Sequence, residues 1–160
     1  MLAEAYEQFY KTFDKAMGDR TRSVGASEIG LCARQTFWTK NLNQPKGVQI
    51  DDDFKSDWGA RLRGTIMEST FWVPALRQKF GSDLLYAGDE QRKLVTGYLS
   101  GTPDGLLINQ PYDLLRSVGV KNIKSDCVVL ESKTLDPRTN LVEAKEANIY
   151  QTNTNIGLFR

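Results

Sequence analysis

Hydrophobic residues recur at helical spacing through the first half of the chain. The stretch Ala3–Met17 carries four aromatic residues in this pattern, and Gly18 is expected to end the helix that they predict. A second helix is predicted to begin at Ser27, because a serine side chain is well suited to an N-cap. The inward face of this second helix would consist of Ile29, Cys32, Ala33, Thr36 and Phe37.

The longest helical pattern covers Trp58–Phe80, and Gly81 is expected to end it. Pro74 lies inside this pattern and is expected to kink the helix or divide it in two, because proline cannot donate the helical hydrogen bond. The polar stretch Asn43–Asp57 that precedes it predicts a surface loop. The apolar positions of the long helix include Leu62, Ile66, Phe71, Val73 and Leu76.

After Gly81 the pattern changes to short strands and turns. Val128–Leu130 are three consecutive apolar residues, which is typical of a central strand buried on both faces. We predict an α/β fold with a central mixed β-sheet flanked by helices. The predicted strands are Asp83–Ala87, Gln91–Thr96, Gly105–Ile108 and Cys127–Lys133. The segments between them are predicted to be a turn at Gly97–Gly101, a helical turn at Tyr112–Val118 and a polar loop at Val120–Asp126. A last helix is predicted from Thr139 onward.

The composition narrows the chemistry that the chain can perform. It contains no histidine, which excludes Ser-His-Asp hydrolases, Cys-His proteases and histidine-ligated zinc. Its two cysteines are too few for a four-thiolate zinc or iron–sulfur site, and we expect both to be reduced core thiols. Any chemistry must therefore use carboxylates, lysine or a hard metal ion held by oxygen.

Charge and hydropathy limit the partners of the chain. The 21 basic and 20 acidic residues give a net charge of +1, so a nucleic-acid-binding surface would have to be local. The first residues lack the apolar core of a signal peptide, and no apolar run approaches the length of a membrane span. We therefore expect a cytoplasmic protein without a membrane partner. Its 160 residues suit a single domain.

Charged side chains stand at the ends of two predicted strands. Glu131 and Lys133 point to the same side of the last strand because side chains alternate, and the Ser132 carbonyl between them is a further oxygen donor. Asp104 lies in a Pro-Asp-Gly turn that leads into the strand Gly105–Ile108. If the two strands are neighbours, both carboxylates can bind one divalent cation, with the lysine beside a water molecule on that cation.

Each of these features also has an ordinary structural explanation. A Pro-Asp-Gly turn is common between strands, and a Glu-x-Lys pair on an exposed strand is usually a solvated ion pair. Ala144, Asn148, Gln151, Asn155 and Leu158 form a mostly polar helical face that could front a wet site or could simply be exposed. The combination, rather than any single residue, indicates a site.

The combination resembles the signature of the PD-(D/E)XK nuclease superfamily: Asp104 before one strand, then Glu131-x-Lys133 at the end of another. The segment Arg63–Ser69, in which Gly64 precedes Glu68, resembles the upstream helix of the bacteriophage lambda exonuclease group. Two further segments, Ser27–Phe37 and the helix that carries Gln151, resemble parts of RecB-like and related nuclease domains. RecB-type relatives carry a histidine on the upstream helix, which is absent here, so the phage exonuclease branch is favoured.

The resemblance implies a restriction-endonuclease-like core and a DNA nuclease that depends on Mg²⁺ or Mn²⁺. It would act as an exonuclease on linear DNA ends in phage recombination or DNA processing, in the cytoplasm of a bacterium or a phage-infected host, with a single-strand annealing protein as partner. Glu68, Asp104 and Glu131 would bind metal, Lys133 would serve the attacking water, and Gln151 would order the site. The residues that would contact DNA are Ser27, Arg34, Arg61 and Arg63.

Two other functions remain open on the same fold. One is a non-catalytic nucleic-acid-binding or assembly domain, and the other is a site-specific endonuclease of the same superfamily. The resemblance also leaves open a homo-oligomer. We expect one nuclease domain over residues 1–160, with truncation at its C-terminal end as an open alternative, since relatives usually continue beyond the last helix.

Overall fold

A computed structural model describes Glu4, Gln8 and residues 21–41, 58–135, 140 and 142–160. Helices and two small β-sheets make up these residues, which confirms the mixed α/β class. Glu4 and Gln8 are helical, whereas the rest of the predicted helix Ala3–Met17 and the predicted loop Asn43–Asp57 lie outside the described residues. Within the described part of the chain, no helix combines the length and the apolar character of a membrane span.

The strands form two three-stranded sheets instead of the single central sheet that was predicted. In the first sheet, β4 pairs in parallel with β1 and antiparallel with β3. In the second sheet, β5 lies between β2 and β6 and is antiparallel to both. The strands are β1 (Val24–Gly25), β2 (Leu84–Leu85), β3 (Leu94–Thr96), β4 (Leu99–Gly101), β5 (Gly105–Leu107) and β6 (Val128–Leu130).

The central buried strand of the second sheet is β5, not the stretch Val128–Leu130 that was predicted to be central. All three residues of β5 are buried, whereas those of β6 are half-buried. In the described residues β6 pairs with β5 alone, so it is an edge strand of this sheet. The core beside β5 consists of Val73, Leu84, Ala87 and Leu107. Three apolar residues in a row therefore marked a strand, but not the most buried one.

Helices surround the sheets, and most of their predicted positions are confirmed. The helix predicted at Tyr112–Val118 is present, whereas the helix predicted from Thr139 begins only at Glu146. The predicted turn Gly97–Gly101 contains β4, so only Gly97 and Tyr98 separate β3 from β4. Between residues 21 and 160, the α-helices that the structure describes are α1 (Ala33–Lys40), α2 (Trp58–Met67), α3 (Val73–Phe80), α4 (Tyr112–Ser117) and α5 (Glu146–Leu158).

The predicted long helix Trp58–Phe80 is present but is interrupted by a π-helical turn at Glu68–Trp72. Pro74 follows this turn after one residue, in the first turn of α3, so the residue that cannot donate a helical hydrogen bond lies close to the junction of the two helix types. A π turn holds an extra residue, so it changes which side of the helix faces the core. Of the apolar residues in this stretch, Val73 after the turn is buried, whereas Ile66 and Phe71 are 44% and 64% exposed.

The helix predicted to begin at Ser27 does not begin there. Ala26–Glu28 form a 3₁₀ turn, Ser27 is exposed, and α1 starts only at Ala33. The Glu28 carboxylate holds the turn, because its Oε2 accepts the Gly25 N–H at 2.6 Å and pairs with Lys40 Nζ at 2.8 Å.

The apolar face predicted for this helix also points outward. Phe37 is 56% exposed and Ile29 is 36% exposed. Cys32 and Cys127 are free thiols, as predicted, but both are exposed, so the prediction of core thiols was wrong. The exposure of Ile29, Cys32 and Phe37 has one cause, since the separate turn at Ala26–Glu28 gives α1 a different orientation from one continuous helix.

Helix α5 packs closely against the segment around the 3₁₀ turn. A Cβ atom placed on Gly30 would lie 2.5 Å from Ala147 Cα, which is closer than atoms in proteins approach. The absence of a side chain at Gly30 is therefore what allows α5 to lie here. Gly157, near the end of α5, has open space around its Cβ position.

We expect Gly30→Ala to lower the free energy of unfolding by about 1–3 kcal/mol, because the new methyl group can be accommodated only if helix backbone moves. Gly157→Ala is the matched control, because Gly157 lies on α5 away from this contact. It should raise stability by about 0.5–1 kcal/mol, since alanine favours the helix and meets no neighbour. Urea denaturation measures both, and equal stabilities of the two variants would contradict this packing.

Candidate functional site

The pairing of β5 with β6 places Asp104 beside Glu131. Gly105 lies opposite Leu130, and the Asp104 N–H donates to the Leu130 carbonyl oxygen at 3.1 Å. The Ser132 N–H in turn donates to Asp104 Oδ2 at 2.7 Å. The two predicted strands are therefore neighbours, which is the condition that the sequence analysis set for a shared site, and a backbone N–H group holds the Asp104 carboxylate.

Glu131 is a nearly buried carboxylate surrounded by hydrogen-bond donors. Its side chain is only 6% exposed, and Lys133 Nζ lies 3.0 Å from its Oε1. Two residues of α5 complete the group, because the Gln151 side-chain amide donates to Oε1 and Asn155 Nδ2 donates to Oε2 at 2.8 Å. Glu131 thus has one charged and two neutral donors, which is what a buried carboxylate requires.

Burial raises the pKa of Glu131 above its usual value, and the negative charge of Asp104 raises it further. The hydrogen bond and the positive charge of Lys133 act in the opposite direction. The pKa of Glu131 therefore responds to Asp104, which means that the two carboxylates are close enough to repel each other. A cation that binds between them would relieve this repulsion.

Glu68 joins the group through Gln91. The side-chain amide nitrogen of Gln91 lies 2.9 Å from Glu68 Oε1 and 3.4 Å from Asp104 Oδ1. Glu68 is the first residue of the π turn, and Gln91 directly follows a 3₁₀ turn at Gly88–Glu90. Oxygens from two distant parts of the chain thus approach one common nitrogen atom.

These side chains border a cleft of about 500 Å³, which we call the carboxylate cleft. One wall is the α2 segment with the π turn, and the other is the chain that follows β6. The residues that line it are Gly64, Thr65, Glu68, Trp72, Asp104, Ser132, Lys133 and Thr134. Glu68, Asp104 and Lys133 therefore face the same space.

The carboxylate oxygens of this site are the kind of ligand that magnesium prefers. Mg²⁺ prefers carboxylate oxygens at about 2.0–2.1 Å and usually retains several water molecules. In the described residues the acidic side chains do not form a preformed three-ligand cluster. Instead, Gln91 Nε2 touches both Glu68 and Asp104, so it marks a point that both carboxylates reach. Metal binding at that point requires the Gln91 amide to move aside, and Glu131 could join only by exchanging one of its donors.

The structure brings only some of the predicted DNA-contacting residues near the site. Arg63 is exposed on α2 and lines a neighbouring cleft together with Lys133. Ser27 and Arg34 are exposed on the 3₁₀ turn and on α1, and neither lines the carboxylate cleft. Arg61 belongs to α2, but its side chain lies outside the described residues.

The predicted metal-binding role of the Ser132 carbonyl oxygen stays a prediction. The contact that the structure shows for Ser132 is made by its N–H group, which donates to Asp104. This contact orients one carboxylate oxygen of Asp104 toward the backbone.

Two residues of this site were not predicted. Asn155 is fully buried and binds Glu131, and it lies four residues after Gln151 on the helical face that the sequence analysis described as polar. The spacing of four residues from Gln151 could therefore have identified Asn155 as a second residue of α5 at this site. Gln91 offered no such signal, because its position depends on the 3₁₀ turn before it and on the π turn that carries Glu68.

Comparison of the chain with protein-family models, with curated proteins and with solved structures finds no match. The resemblance to the PD-(D/E)XK nucleases accordingly rests on the motifs of the sequence, and it stays a prediction.

We expect Asn155→Ala to lower the free energy of unfolding by about 1–3 kcal/mol, because it leaves one oxygen of a buried carboxylate without its donor. Asn153→Ala, at an exposed position of the same helix, should change stability by less than about 0.5 kcal/mol. Chemical denaturation of the two variants and the wild type measures the difference. If Asn155→Ala proved as stable as the control, the Glu131 hydrogen bond would not matter for folding.

Proposed function

We propose that this chain is a metal-dependent DNA nuclease that hydrolyses phosphodiester bonds, with an exonuclease acting on linear DNA ends as the favoured form. The observation that carries the proposal is the grouping of Asp104, Glu131 and Lys133 at adjoining strand ends, with Glu68 linked to Asp104 through Gln91. The four side chains come from three separate segments, since Glu131 and Lys133 are two residues apart. Glu68, Asp104 and Lys133 line one cleft, and Glu131 pairs with Lys133 beside it, which is a costly arrangement without a ligand.

The order of the elements supports a restriction-endonuclease-like core as part of the same proposal. A helix that carries Glu68 precedes the strands, β5 follows Asp104, β6 ends before Glu131, and a helix that carries Gln151 follows. The two small sheets would be the parts of that core that the described residues contain, and they are joined by the short segment Thr102–Asp104.

Each side chain has a definite task in this proposal. Asp104 and Glu68 would hold a divalent cation, and Glu131 would complete the negative site. Lys133, which is 39% exposed and borders the cleft, would hold the attacking water through Nζ or accept a proton from it. Gln151 and Asn155 position Glu131 by their hydrogen bonds. Magnesium or manganese, when bound, supplies the Lewis acid that activates water and stabilises charge on the phosphate.

We expect Lys133→Ala to reduce cleavage of linear duplex DNA by at least about 100-fold, because general acid–base groups contribute about 10²–10⁴-fold to rate. The assay follows an end-labelled linear duplex with magnesium and with chelator. Lys124→Ala is the matched control, since Lys124 is also exposed but lies in the loop before β6, away from the carboxylate cleft. Its activity should equal that of the wild type.

The same assay separates the alternatives. Full activity of the Lys133→Ala variant would reject the mechanism. Cleavage of closed circular duplex would identify an endonuclease, whereas an end-dependent enzyme leaves circles intact. Binding of DNA without magnesium-dependent cleavage by the wild type would identify the non-catalytic assembly domain.

A further inference from the structure

The helical segment that carries Glu68 presents two neighbouring rows of side chains. The row Gly64, Glu68 and Trp72 lines the carboxylate cleft. A second row, displaced by one residue, lines a separate cleft of about 590 Å³, which we call the aromatic cleft. Its members are Arg63, Met67 and Phe71.

The two clefts adjoin, because Trp72 and the segment Ser132–Thr134 line both of them. Lys133 is therefore shared between the acidic group and the aromatic cleft. A ligand in the aromatic cleft would lie directly beside the site at which we propose phosphodiester cleavage.

The lining of the aromatic cleft combines exposed apolar surface with positive charge. Phe71 is 64% exposed and Met67 is 39% exposed, although both are large apolar side chains. Arg63 and Lys133 are the charged residues among the described lining, which contains no aspartate or glutamate. Apolar surface of this kind, bordered only by cations, suits a ligand with a flat apolar part and a negative charge.

We propose that the aromatic cleft binds the base of an unpaired DNA nucleotide next to the phosphate to be cleaved. This inference rests on the proposed function and adds a substrate class to it: single-stranded DNA, or the opened end of a duplex. A base can stack on the ring of Phe71, and Arg63 and Lys133 can meet the adjoining phosphates. A base inside a duplex has both faces covered by its neighbours, so it cannot stack on Phe71, whereas an unpaired base can enter the cleft.

The test measures binding and does not depend on cleavage. A short single-stranded DNA labelled with fluorescein is titrated with protein in the presence of chelator, and anisotropy gives Kd. We expect Phe71→Ala to weaken binding about 5- to 100-fold, the loss that corresponds to one base–aromatic stack. A second oligonucleotide carries 2-aminopurine at its end, and the wild type should quench its fluorescence more strongly than the variant.

Matched variants separate stacking from other effects. Phe71→Trp should bind as the wild type does, whereas Phe71→Leu, which keeps apolar area without a ring face, should resemble Phe71→Ala. Tyr98→Ala removes an aromatic side chain that is 83% exposed and lines neither cleft, and it should leave Kd unchanged. Thermal melting of all four variants checks that they are folded. Because Phe71 is exposed, its substitution should leave the fold intact.

The outcomes distinguish this inference from the proposed function. Wild-type affinity of Phe71→Ala and Phe71→Leu, or a wild type that does not bind single-stranded DNA, would overturn the subsite even if the protein cleaves DNA. Loss of binding and of 2-aminopurine quenching in these two variants would support the subsite even if the wild type proved inactive on the linear duplex.

Discussion

The antiparallel register of β5 and β6 is the constraint on which the candidate site depends. Because Gly105 lies opposite Leu130, the next residues outward are Asp104 and Glu131, and their carboxylates become neighbours. A shift of one residue would turn one of the two side chains to the opposite face of the sheet. The Ser132 N–H bond to Asp104 exists only in the observed register, so the acidic residue helps to select the strand pairing that creates its own site.

Glu131 connects this strand pair to α5. A carboxylate that is almost completely buried needs several donors, and here one comes from Lys133 and two come from the helix. The arrangement leaves Asn155 Oδ1 buried without a hydrogen-bond partner. Asn155 also occupies the space that a side chain at Gly101 would need, so a glycine in β4 is part of the support of Glu131. The burial of the Glu131 carboxylate therefore depends on the position of α5.

Much of the local structure followed from the sequence, because it depends on residues close together in the chain. The helix ending at Gly81, the short helix α4 and the neighbouring positions of Asp104 and Glu131 were predicted correctly. The strand β4 was missed because two of its three residues, Ser100 and Gly101, have low strand propensity. Its pairing with β1 and β3 stabilises it. The contact of Gln91 with Glu68 was beyond prediction for a related reason, since it depends on how two distant turns pack. The family, the metal and the nuclease activity remain predictions.

The π turn at Glu68–Trp72 has a consequence for how this segment tolerates changes in length. It contains one residue more than an α-helical turn, and that surplus lets Glu68 face the acidic group while Val73 faces the core. If the same residues were wound as a regular α-helix, the two flanking helices would be rotated relative to each other by about 100°. Either the acid or the apolar anchor would then leave its place. Deleting one residue removes the surplus itself and keeps the two helices in phase, so this short stretch should accept a single deletion more readily than an insertion.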